Sequence, residues 1–136
     1  MLTRSRMKRT ATKPRRASGP DPLTVELVVL RDRGRCVPCG MQLFGDRGEY
    51  WCLHHRRGRD GKPDSHSAQN LIAVCGASNV AACHGRIHQQ RAEAEANGWW
   101  LSRVAGTDPL TVAVYVASQH RRVFLTADGR YAPEAS

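Results

Sequence analysis

Two cysteine pairs constrain this 136-residue chain more than any other feature. Cys36-x-x-Cys39 supplies one pair of sulfurs, and Cys75 with Cys83 supplies a second, about a strand, a loop and a strand later. A chain this short buries only one modest hydrophobic core. A tetrahedral zinc closed by four thiolates would staple elements too small to hold one another by packing. A lone Cys-x-x-Cys also serves redox proteins, but there it accompanies a βαβ pattern that is absent here. Five cysteines are an odd number for a disulfide framework. The fifth, Cys52, reads as a spare buried thiol.

Charge divides the chain. Of the net +9, seven charges belong to Arg4, Arg6, Lys8, Arg9, Lys13, Arg15 and Arg16, with no acid among residues 1–20. That segment, rich also in Ser, Thr and Pro, has too little apolar surface to offset the entropy of ordering, so it is expected to be a disordered basic arm. Its natural partner is a polyphosphate, because each neutralised phosphate releases condensed counterions. No run of about 18 apolar residues occurs, and the basic start lacks the apolar stretch of a secretory signal. The expected compartment is the cytoplasm, with no membrane association.

Behind the Pro20-Asp21-Pro22 boundary, residues 21–136 read as one domain. Apolar spacing predicts a helix over 23–33, stopped by Gly34, and Cys36 to Gly40 follows as a tight knuckle. Short strands are predicted over 49–54 and 71–74, separated by a basic loop at 56–67 that has almost nothing to bury and is expected to be mobile. Residues 84–97 predict one helix ended by Asn97-Gly98. Segments 99–104 and 110–117 look β-like, and 123–131 around Asp128-Gly129 looks like a terminal hairpin.

Four of the six histidines fall into two pairs with definite geometry. His84 and His88 stand at i, i+4, so on a helix they share a face about 5 to 6 Å apart at Cβ and both nitrogens can reach one cation. His54 and His55 are neighbours at a strand end and point to opposite sides. One of them can serve a metal while the other addresses a substrate. Arg56, Arg57, Arg59 and Lys62 follow directly and are expected to line a groove for phosphates rather than to read bases.

Cys-x-x-Cys, then His-His, then Asn70-Leu71, then Cys-His-x-x-x-His is an order that resembles the HNH endonucleases, especially those of actinobacterial phages and prophages. The likeness runs from about residue 36 to 98, nearly half the chain. It implies an α+β fold: a small ββα-metal finger with a structural four-cysteine zinc, flanked by an N-terminal helix and C-terminal β-strands over 99–136. By position, His55 resembles the general base, and His54, His84 and His88 resemble the ligands of a catalytic divalent cation. Three imidazoles would suit zinc or nickel, whereas many relatives carry Asp at the position of His54, and a carboxylate would suit magnesium; manganese also stays open. Asn70 resembles the residue that holds the loop and so orients His55.

What the resemblance implies is a metal-dependent DNA endonuclease, in a phage setting a processor of DNA for head packaging beside a terminase, acting in the host cytoplasm. Hydrolysis of a phosphodiester builds negative charge on the phosphoryl oxygens and on the leaving 3′ oxygen, which a cation stabilises. A base with an unperturbed imidazole pKa would lose activity below about pH 6 to 7. Two other readings use the same residues. One is a non-catalytic zinc module binding DNA or protein, and the other is a redox or metal sensor built on Cys36 and Cys39.

Overall fold

The computed structural model describes residues 19–134, so all but the last two residues of the expected arm lie outside the described residues. Helix α1, Pro22–Arg31, begins where Asp21 caps it: its side chain accepts from the Thr24 N–H at 2.8 Å, and Pro22 occupies the first turn, where no N–H is needed. Arg33 and Gly34 both turn left-handed, and Gly34 N–H returns to Val29 O at 3.0 Å, which ends the helix. The knuckle follows. Gly40, at φ +79°, lets the chain reverse so that Cys36 N–H meets Met41 O at 2.9 Å.

Strands β1, Trp51–His55, and β2, Leu71–Cys75, pair antiparallel, with His55 opposite Leu71 and Trp51 opposite Cys75. Every residue of β2 is buried, which explains its unbroken apolar run. Its alternate side chains supply two cores. Leu71 and Ala73 pack with Val28 and Leu53 beneath α1, while Ile72 and Val74 enter a larger cluster with Ile87, Trp99, Val114 and Val123.

The single helix expected over 84–97 is two: α2, Ala82–Gln89, and α3, Arg91–Ala96. Gln90, at φ −117° and ψ 65°, breaks it, and no Gly or Pro marks the place. Gly85 sits inside α2 for a packing reason, since a Cβ there would come within 2.5 Å of the Val80 backbone.

The segment 99–104 forms no strand. Trp99 and Leu101 are buried as alternation suggests, but their N–H groups go singly to Ala94 O and Arg56 O rather than to a ladder. Strands β3, Val114–Val116, β4, Arg121–Leu125, and β5, Tyr131–Pro133, form an antiparallel sheet in that order, the last two joined around Asp128-Gly129. Val114, Val116, Val123 and Leu125 of this sheet enter the same core as β2. The C-terminal region is therefore part of the domain that carries the cysteines. The fold is small and α+β, and no helix among the described residues is long and apolar enough to cross a membrane.

Candidate functional site

The four sulfurs come from three elements: the knuckle holds Cys36 and Cys39, Cys75 ends β2, and Cys83 lies in the first turn of α2. Their Sγ atoms all lie within 4.8 Å of one another, a group that could hold a metal ion. A metal–sulfur bond of about 2.3 Å in a tetrahedron places sulfurs about 3.8 Å apart. Cys39 and Cys75 Sγ stand 3.9 Å apart. The Cys75 N–H also points at Cys36 Sγ, at 3.3 Å, a donor that favours thiolate. Contact between the Cys36 and Cys83 side chains draws Cys83 down and pushes Cys36 up, as expected where adjacent sulfurs cannot all ionise without a cation. Six of the seven residues between Cys75 and Cys83 form the loop that carries the chain from strand to helix.

His54, His84 and His88 form the second group, their nitrogens also within 4.8 Å. Ring centroids are 5.4 Å apart for His54 and His84, 5.7 Å for His54 and His88, and 5.0 Å for His84 and His88. Hydrogen bonds behind two of the rings decide which nitrogen those two can offer. His54 Nε2 lies 2.9 Å from Trp99 O; a carbonyl can only accept, so Nε2 carries the proton and Nδ1 keeps its lone pair. His84 Nδ1 stands 3.1 Å from Cys52 Sγ, whose thiol in turn donates to Gly76 O at 3.2 Å. With its S–H committed to that carbonyl, Cys52 accepts from His84 Nδ1, which frees His84 Nε2. Cys52 is thus half-buried beside the imidazoles rather than a spare thiol.

Burial, aided by the neighbouring imidazoles, lowers His54 to about 3 and His84 to about 4, and burial with Arg91 nearby lowers His88 as well. All three are neutral near pH 7, the form that ligates metal.

A cleft of about 480 Å³ opens over these rings, and His55 lines it too. His55 Nε2 meets His66 Nδ1 at 2.9 Å. Burial first, then Arg59 and His66, lowers His55 to about 4, well below the value assumed in reading the sequence. Arg59 and Arg103, both exposed, and half-buried Trp100 complete the wall. No family model, no curated protein and no solved structure matches the chain.

Asn70 is fully buried and joins two ends of the basic loop: its Oδ1 accepts from Arg57 N–H and its Nδ2 donates to Ser65 O, each at 2.9 Å. The loop is therefore tied down, contrary to the mobility expected of it.

Two of the four expected phosphate ligands are turned away from solvent. Arg56 is fully buried and donates to Gly98 O, Gln69 O, Pro109 O and Val112 O at 2.8 to 3.0 Å, linking the loop to the C-terminal region. Arg57 is 3 % exposed and ion-paired with Asp60 and Asp64. Buried backbone acceptors and nearby acids claimed both guanidinium groups, a use that a run of basic residues does not reveal. Arg59 and Lys62 remain exposed, but only Arg59 lines the cleft. Sequence reasoning missed His66, Trp100 and Arg103. His66 meets His55, and Arg103 reaches the cleft, from irregular segments without periodicity, and Trp100 lies in the stretch read as a strand.

Proposed function

We propose that this protein is a metal-dependent DNA endonuclease with a ββα-metal finger of the HNH kind, its four sulfurs holding a structural zinc. One observation carries the reading: His54, His84 and His88 converge on a single point while His55, the next residue on the strand, lines the same cleft beside two exposed arginines. Three imidazoles and four thiolates are donor sets suited to nitrogen- and sulfur-binding transition ions.

A cation held by the three histidines would supply charge stabilisation for the phosphoryl oxygens and the departing 3′ oxygen. The remaining work belongs to side chains. Arg59 and Arg103 hold backbone phosphates at the cleft mouth. Water adds to phosphorus as the bond to the 3′ oxygen breaks, and His55 Nδ1 takes the proton that water gives up. Asn70 acts from below by fixing the loop behind His55. Among the described residues no element resembles a second module for reading bases, so specificity would rest on shape or on a partner.

The test is conversion of supercoiled plasmid to nicked circles by purified protein with magnesium, manganese, nickel or zinc added singly. Metal-dependent nicking is expected, and His55→Ala should lose it while retaining fold and zinc content. Equal background cleavage by both proteins would leave the non-catalytic zinc module as the better reading.

A further inference from the structure

A general base at His55 must present a bare nitrogen to water, and one side chain, His66, meets its ring. Among the described residues His55 makes one side-chain hydrogen bond, between Nε2 and His66 Nδ1 at 2.9 Å, with the rings edge to face at 74°. Among the described residues its Nδ1 has no hydrogen-bond partner. The contact has two proton arrangements. If His66 donates, His55 carries its proton on Nδ1 and offers the cleft a donor. If His55 donates through Nε2, Nδ1 is left as an acceptor.

We propose that His66 is a positioning residue that accepts the Nε2 proton of His55, and so holds His55 in the tautomer and ring orientation needed for proton abstraction. This rests on the endonuclease reading above. His66 is set for the task by its loop: Ser65 before it is buried and gives its carbonyl to Asn70, while Asp64 is ion-paired with Arg57. The backbone on the N-terminal side of His66 is thereby fastened to the same asparagine whose own carbonyl accepts from Arg56, the residue after His55. Base and acceptor hang from one buried clamp. Freed of His66, the His55 ring could turn about its side-chain bonds and lose alignment without leaving its neutral form.

Two measurements on the full-length protein test this. Nitrogen-15 spectra of the histidines should show a coupling between His55 Nε2 and His66 Nδ1 across the hydrogen bond, with the proton assigned to His55. In the plasmid assay, His66→Ala should lower kcat about 10- to 100-fold, the usual cost of losing an orienting partner, with KM for DNA unchanged. His66→Asn, whose Oδ1 can occupy the place of Nδ1, should recover most of the rate, whereas His66→Phe, which fills the space without an acceptor, should not. Should His66→Ala fail to fold, the Asn and Phe variants carry the comparison. A proton found on His66 Nδ1, or nicking by His66→Phe at the wild-type rate, overturns the proposal while leaving the endonuclease reading intact. A wild-type protein that does not nick overturns that reading, and the role of His66 falls with it.

Discussion

The Tyr131 hydroxyl donates to Asp32 Oδ1 at 2.6 Å across 99 positions of chain. Asp32 also accepts from Arg31 Nε at 2.8 Å and from the Ala73 N–H at 2.9 Å, and Arg31 donates onward to Ala68 O and Leu71 O. One buried carboxylate thus joins the end of α1, the middle of β2 and the last strand. Asp32→Ala strands a buried guanidinium and should cost about 3 to 5 kcal/mol. Tyr131→Phe should cost about 1 to 3 kcal/mol, the range for a hydrogen bond to a charged group. Urea denaturation measures both, and a neutral result for Asp32→Ala would contradict the network.

The buried and exposed arginines should separate experimentally. In a His55→Ala background, Arg59→Ala and Arg103→Ala should each reduce the dependence of DNA affinity on salt by about one unit of log–log slope. Arg56→Ala should instead lower the unfolding midpoint, because four carbonyls lose their donor. Fluorescence anisotropy over a salt series and denaturation curves distinguish the outcomes.

Arg57 holds both Asp60 and Asp64 below the ordinary carboxylate range. A depressed carboxyl stabilises the fold above its unfolded pKa of about 4 and loses that contribution as pH falls through its folded value. The wild type should therefore be more stable than the Asp60→Asn, Asp64→Asn double variant at pH 6, with the gap closing below about pH 4. A gap that stays constant over this range would show that these pairs contribute no charge stabilisation.

Metal content offers a direct check. Wild-type protein loaded with zinc should carry two ions per chain, and His88→Ala one, with the fold retained. Cys52→Ala removes the acceptor behind His84 and should weaken the second ion about 10- to 100-fold while leaving the first in place. Competition with a coloured chelator reads both. Equal affinity in Cys52→Ala would mean that the thiol has no part in orienting His84.

Much of this arrangement was legible because metal chemistry restricts residue type and spacing together. The knuckle needs a glycine at Gly40, and His84 and His88 need the helical repeat that puts them on one face. The strands were legible for a similar reason, since burial on both sides of β2 demands an unbroken apolar run. Long-range polar contacts leave no such trace. Arg56 and Arg59 look alike in the chain, yet one meets four carbonyls up to 56 positions away and the other meets solvent. His66 belongs to no pattern at all, and the break at Gln90 carries neither the Gly nor the Pro by which a sequence marks a helix end.

Cys83 and His84 are consecutive, so the opening turn of α2 belongs to both donor sets at once. Under the proposed reading the two ions are not equals. A reagent that strips the sulfur cage would let go of the helix start and dismantle the imidazole centre with it, whereas emptying the imidazole centre leaves the cage whole. Deprived of zinc, such a protein would switch itself off by losing shape, whereas scarcity of the second ion would merely idle it.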